Sequence, residues 1–532
     1  MIKISLKAGL LALSLSAVLA GCASEPEDQV TNNANDNAGT EGTEGGSLIL
    51  SVLSDAQNLD PHNSNDVPSW NVQYNIYETL VKHDENMDLQ PNLASSWEQT
   101  DDLTWEFSLQ EDVQFHDGTE FNAEVVKANI DRVLNEEIGS PNAFLFESIE
   151  EVNVVDEHTV EIVTEYPYAA LPAHLAHNGS SMISLDVLEA DYEAFQDGGQ
   201  PGEYINENPI GTGYFTFEEW NSGDSIVLSR NDNYWGEEAK VDQVTFSVVS
   251  EDLTRVGELE SGAAHIISPV SPSDVSRIEG TEGIGMHQSD SVSISYIGFN
   301  TQKAPFDNKL VRQAINKAVD KDVIMDGILE GFGVQAFGPL SEAVFGHSDN
   351  VEQMEYDPEA AKELLAEAGY ENGFETTLWT NDNRERQDIA ELVQAQLAEV
   401  NIDVEIEVFE WGAYLDRTAG GEHDMFMLGL SAATADADYP MSMLYHSDNI
   451  GAAGNRTQMD NAELDSLIEE ARRESDEEQR LALYEEAMEL LIEESPMLYI
   501  YHQEYLTGVS DQISGFDMYP NGLYQLQNVT IN

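Results

Sequence analysis

The chain is poor in cysteine and in positive charge, and each shortage closes off a class of function. A single cysteine, Cys22, stands in 532 residues, so no internal disulfide staples the fold. Lys and Arg together number 22 against 101 Asp and Glu, a formal net charge of −79. A surface of that sign repels phosphate backbones, so no nucleic-acid partner is expected. Beyond the N-terminus no stretch is long and apolar enough to cross a bilayer as a helix. A glycine-rich loop ending in Lys-Ser/Thr is also missing, which excludes an ATP-hydrolysing subunit of the phosphate-loop kind. His174 and His177 have metal-like spacing, but no cysteine or further histidine cluster joins them in sequence. Run 429–433, Gly-Leu-Ser-Ala-Ala, lacks the second glycine of a nucleophile elbow, and no triad order supports Ser431. No catalytic residue, metal or cofactor is expected.

What is present begins with a leader. Lys3 and Lys7 precede an apolar stretch from Ala8 to Val18, too short for the roughly 20 residues of a membrane-spanning helix. It ends in Leu19-Ala20-Gly21-Cys22, which resembles a bacterial lipobox. Residues 1–21 are therefore expected to be a signal peptide. Cys22 is expected to be the lipidated first residue of the mature chain, held on the extracellular face of the membrane, or on the periplasmic side in a Gram-negative host. After Cys22, residues 23–46 contain Asn, Asp, Glu, Gly and Thr with almost no apolar side chain, so 22–46 is an expected disordered tether. The acidic residues recur across the whole chain, as in a solvated shell suited to saline surroundings, where at 1 M salt the screening length is about 3 Å.

Past the tether, helical and strand patterns alternate, which points to α/β architecture. Ser47 to Leu53 reads as a strand, and the alternating segments 104–109 and 159–163 read as half-buried strands. Asp357-Pro358 predicts a helix start and Gly369 its end. Ser475 and Glu478 have capping-box spacing ahead of Leu481, Tyr484, Met488 and Leu491.

Several segments, in order, resemble the peptide, nickel and glutathione class of solute-binding proteins, family 5. They include Leu59-Asp60-Pro61-His62, Tyr77-Glu78-Thr79-Leu80, Phe115-His116-Asp117-Gly118-Thr119, Asn208-Pro209-Ile210-Gly211-Thr212-Gly213, Asn233-Tyr234-Trp235 and Val311-Arg312-Gln313-Ala314. The resemblance implies a two-lobed periplasmic-binding-protein fold of type II, with an extra subdomain in the first lobe and a hinged cleft. The expected division is lobe one over residues 47–290, lobe two over 291–504 and a return to lobe one over 505–532. It further implies capture of a small peptide for the permease subunits of an ABC importer, by a monomer. In dipeptide- and oligopeptide-binding members an aspartate four residues after the glycine of the segment at 427–439 grips the ligand ammonium; here that position is Ala433. The Ala-Thr-x-x-Ala-Asp-aromatic pattern from Ala433 to Tyr439 resembles instead the glutathione-binding branch, as do Leu444-Tyr445-His446-Ser447 and Gly454-Asn455-Arg456. A dipeptide, oligopeptide or nickel-chelate receptor is the alternative within the class, and an exported hydrolase the alternative outside it.

An anionic guest in so acidic a protein needs local cations. Arg456, in a Gly-Asn-Arg-Thr turn, and Arg384, after a strand, are the candidates for clasping a carboxylate. Trp70, Asn71, Trp411, Thr434 and Tyr439 are the candidate aromatic, amide and hydroxyl lining. Asp436, or Asp438, is the candidate acceptor for an ammonium group.

Overall fold

The computed structural model describes residues 45–452 and 454–532. The leader, Cys22 and the tether up to residue 44 lie outside the described residues. Strand Ser47–Val52 forms as its sequence predicts and becomes an interior strand of a seven-stranded sheet. It runs parallel to Gln243–Val248 on one edge and to Ile266–Ser268 on the other, with Leu48 and Leu50 fully buried. Beyond Ile266–Ser268 lie Glu504–Ser510 and then Ile284–Asp290; beyond Gln243–Val248 lie Ser225–Arg230 and Phe215–Asn221.

A six-stranded sheet organises the second half of the chain. Its order is Val334–Gln335, Met497–His502, Ser293–Phe299, Met425–Ser431, Phe374–Asn381 and Ile402–Phe409. Ser293–Phe299 is buried along its whole length, its serines included, between Met425–Ser431 on one edge and Met497–His502 on the other. Segments 104–109 and 159–164 are strands too, paired antiparallel with Phe107 opposite Val160. With Ala94–Asp101 and Ile149–Asp156 they form a four-stranded sheet that carries helix Ala123–Val133.

The chain passes from the seven-stranded sheet to the six-stranded one through Ser291 and Val292, and returns through Gln503. Ser291 Oγ donates to the Gln503 carbonyl at 2.5 Å, so the two crossings lie side by side. Two short adjacent connections between large packed bodies have the geometry of a hinge.

Helix Pro358–Glu367 starts as expected: Asp357 Oδ1 accepts from Ala360 N at 2.9 Å, and Pro358 fills the first turn. The expected capping box at Ser475 is displaced by one residue. Asp476 is the cap, its Oδ1 accepting from Gln479 N at 3.0 Å, and the helix runs Glu477–Glu494. A carboxylate at the positive end of a helix is favoured over a neutral hydroxyl, which accounts for the shift.

The motifs of the first half build scaffold. Glu78 accepts from Thr212 Oγ1 at 2.8 Å, Tyr234 OH at 2.9 Å and Trp235 Nε1 at 2.8 Å. Three motifs thus converge on one buried carboxyl, which burial pushes up and those donors pull part of the way back. Asp60 and Asp191 both bind Arg132, whose Nη1 also reaches His62 Nδ1. Burial lowers His62 to about 3, so it stays neutral there. Gly211 is required by close approach, since a Cβ would stand 2.2 Å from the Ile76 carbonyl oxygen. Gly211→Ala should therefore cost about 1–3 kcal/mol by backbone displacement, read as a lower urea midpoint at unchanged slope.

Candidate functional site

A cavity of about 240 Å³ lies between the two large sheets. One wall comes from residues 52–56 after the first strand and from the start of helix Val67–Ile76; the other comes from Ser293–Phe299, Met425–Ser431 and the start of helix Arg384–Ala398. Trp70, Asn71, Trp411 and Arg456 all line it. Trp70 is buried with its indole edge-on to His177, ring centres 4.9 Å apart. Asn71 Oδ1 accepts from Tyr524 N at 2.9 Å, tying the wall to the C-terminal segment.

The other candidates stand off the wall. Arg384 is 43% exposed and reaches Asp274 Oδ2 across the cleft at 3.3 Å. Asp436 is held bidentately by Arg480, at 2.6 and 2.7 Å, and Thr434 Oγ1 accepts from the Asp436 backbone N–H at 3.3 Å. Tyr439 lies behind Trp70, its ring 4.8 Å from His177. Asp438 is fully buried between Arg472 Nε at 2.9 Å, Tyr168 OH at 2.6 Å and His174 Nε2 at 3.2 Å. Neither aspartate is open to an ammonium group. Ser431 is on the wall, but its hydroxyl donates to the Asn521 carbonyl at 2.9 Å. Among the described residues no three His, Cys, Asp or Glu side chains gather in a metal-binding group.

Sequence reasoning missed Arg386, Asp66 and Glu385. Arg386 donates to Asn381 Oδ1 at 3.0 Å and lies 5.7 Å from the centre of the Trp411 ring. Arg456 is buried, its Nε unpartnered, and its side chain makes no hydrogen bond among the described residues. Burial pushes its pKa below the ordinary guanidinium value. Every other arginine of the described residues holds an Asp or Glu. Two guanidinium groups without a carboxylate, both on one cavity wall, stand out in a chain of net charge −79. Asp66 caps helix Val67–Ile76, its Oδ1 accepting from Ser69 N at 3.1 Å and from Trp411 Nε1 at 3.4 Å across the cleft. Glu385 accepts from the Tyr501 hydroxyl, and burial pushes its carboxyl up.

Two lobes joined by adjacent crossings, with a lined cavity between them, define a two-lobed binding protein of the type II periplasmic fold. A family profile described as bacterial extracellular solute-binding proteins, family 5 middle, matches residues 88–452. The chain belongs to that family. It is 31% identical over 492 residues to the glutathione-binding protein GsiB of Pectobacterium atrosepticum, covering 91% of this chain and 94% of that one. It is also 31% identical over 497 residues to a dipeptide-binding protein of Escherichia coli, covering 88% and 90%. Among solved structures, the periplasmic binding protein DppA of Helicobacter pylori, in complex with the peptide STSA, superposes with a TM-score of 0.84. It is 31% identical, covering 92% of this chain and 98% of that one. The oligopeptide-binding protein AppA of Bacillus subtilis, in complex with a nonapeptide, gives a TM-score of 0.85 at 25% identity, covering 92% and 100%.

Proposed function

We propose that this solute-binding protein captures glutathione, or a related small peptide with two carboxylates, and delivers it unchanged to the permease subunits of an ABC importer. The observation that carries the reading is the pair of carboxylate-free guanidinium groups, Arg386 and Arg456, on the cavity wall. Each matches the planar, bidentate geometry of a carboxylate. The cavity is small beside the roughly 300–1,000 Å³ of drug-sized ligand sites, which suits a compact guest. Trp70, Asn71 and Trp411 supply shape and neutral contacts. Residues 47–290 with 505–532 act as one lobe and 291–504 as the other, closing about the crossings at Ser291, Val292 and Gln503. Arg384 works at the rim, as the bridge to Asp274, while Thr434, Asp436 and Tyr439 support the wall from behind.

The protein acts as a monomer, held by lipid on Cys22 at the outer face of the membrane, and does no chemistry on its guest. Calorimetry tests the reading. Reduced glutathione should bind with a Kd of about 1 μM or tighter, near −8 kcal/mol, and be recovered intact. Millimolar binding with tight binding of plain dipeptides would favour the second reading, a dipeptide receptor, which the equal identity to the Escherichia coli protein supports. Hydrolysed guest would point to an enzyme.

The acidic surface fits a saline habitat. Raising NaCl from 0.1 to 1 M shortens the screening length from about 10 to 3 Å and should raise the unfolding temperature by on the order of 10 °C, as self-repulsion is relieved. A flat or falling profile would contradict that adaptation.

A further inference from the structure

The cleft offers a carboxylate beside one of its two free guanidinium groups. Asp66, in the first lobe, and Arg456, in the second, both line the cavity and are both about 5% exposed. Burial pushes the Asp66 carboxyl up, and the hydrogen bonds from Ser69 and Trp411 and the Arg456 charge pull it part of the way back, yet Asp66 and Arg456 form no ion pair. Each keeps bonding capacity in hand. Asp66 Oδ1 takes the helix cap and the Trp411 indole, and the Ser69 hydroxyl also draws on the carboxyl, so the capacity left for a guest is that of Oδ2. Arg456 donates no side-chain hydrogen bond among the described residues, and its Nε is buried and unpartnered. A buried guanidinium without an acceptor is costly unless a guest supplies one.

The rival acids near the cleft are occupied. Arg480 holds Asp436, Arg472 holds Asp438, and Glu385 already accepts from Tyr501. Arg386, the other free cation, already donates to Asn381 Oδ1 and lies over Trp411.

We propose that Asp66 and Arg456 together receive an α-amino-acid head group, in which one carbon carries both an ammonium and a carboxylate, with the ammonium on Asp66 Oδ2 and the carboxylate on Arg456. Arg386 then takes the second carboxylate at the far end of the guest. This rests on the reading of the protein as a receptor for a dicarboxylate peptide, and it adds orientation and selectivity. A linear α-peptide has no such head, because the carbon bearing its ammonium carries an amide in place of the carboxylate. A γ-glutamyl peptide has one. Since Asp66 and Arg456 come from opposite lobes, the head group also bridges the cleft and favours its closure.

Calorimetry with three guests of matched size tests this: γ-Glu-Cys-Gly, its linear isomer α-Glu-Cys-Gly, and glutaryl-Cys-Gly, which lacks only the amine. The γ-isomer should bind about 100-fold more tightly than either of the others. Asp66→Asn keeps a good helix cap and should weaken the γ-isomer by about 100-fold while leaving glutaryl-Cys-Gly unchanged. Equal binding of the α- and γ-isomers, or undiminished binding of the γ-isomer by Asp66→Asn, would overturn the assignment while the receptor reading stands. No heat with any of the three would reject the receptor reading, and the assignment with it. Should Asp66→Asn fail to fold, the comparison of isomers in the native protein decides alone.

Discussion

Replacing Arg456 by Met should stabilise the empty protein and at the same time weaken capture of a carboxylate-bearing guest by about 100- to 1,000-fold, some 3–4 kcal/mol. The opposite signs follow from one fact. The Arg456 Nε is buried without an acceptor and the side chain makes no hydrogen bond among the described residues, so in the empty protein part of its desolvation is uncompensated, and burial pushes its pKa down. A Met of similar length fills the space without that cost and should gain about 1–3 kcal/mol, read as a higher unfolding temperature in scanning calorimetry. The bound state loses a charge-assisted, bidentate contact in a desolvated cavity. An Arg456 with a purely structural role would give the reverse, a lower unfolding temperature with affinity unchanged.

Arg472→Met should cost about 3–5 kcal/mol of stability, because it strands the buried Asp438 carboxylate. Arg472 holds Asp438 through Nε at 2.9 Å, Ser442 Oγ through Nη2 at 2.5 Å and Glu147 through Nη1. Glu147, Tyr168 and His174 come from the first half of the chain, and Asp438, Ser442 and Arg472 from the second, so the cluster ties two distant parts of the chain together. Burial alone would raise the Asp438 carboxyl. Arg472, His174 and Tyr168 overcome that and hold it well below the usual carboxylate range. With a folded pKa below the unfolded one, the group stabilises fully above about pH 4 and loses that contribution as pH falls further. Urea unfolding from pH 7 to pH 3 should therefore show the native protein falling steeply in acid and Arg472→Met starting lower with a shallower acid limb. Adding Asp438→Asn to Arg472→Met should restore part of the loss, since both charges are then gone. Parallel acid limbs would contradict this account of the cluster.

The strands were legible where burial on one face writes itself as alternation, as at Thr104–Leu109 and Thr159–Thr164. The cavity was legible in part, and the part that was not has geometric causes. Arg384 and Arg386 sit at the first and third positions of one helix, capped by Asn383. At about 100° per residue they point some 200° apart. One therefore reaches Asp274 at the rim and the other the cavity, a distinction available only once the start of the helix is fixed. Asp436 reads as free because its partner, Arg480, lies 44 residues further on. Asp66 reads as an ordinary helix cap, which it is; what local sequence does not carry is that Trp411 and Arg456 of the other lobe come to face it. Asp476 in place of Ser475 is an error of one residue at a helix start, the kind that two adjacent capping residues invite.

The most direct measurement is native mass spectrometry of gently purified protein after exposure to a mixed peptide extract, with the adduct released and weighed. The native chain should retain one small peptide bearing two carboxylates, recovered with its mass unaltered, and Arg386→Met/Arg456→Met should retain none. An adduct held equally by the double variant, or a native chain that retains nothing from the extract, would contradict capture by two unpaired guanidinium groups in a closing cleft.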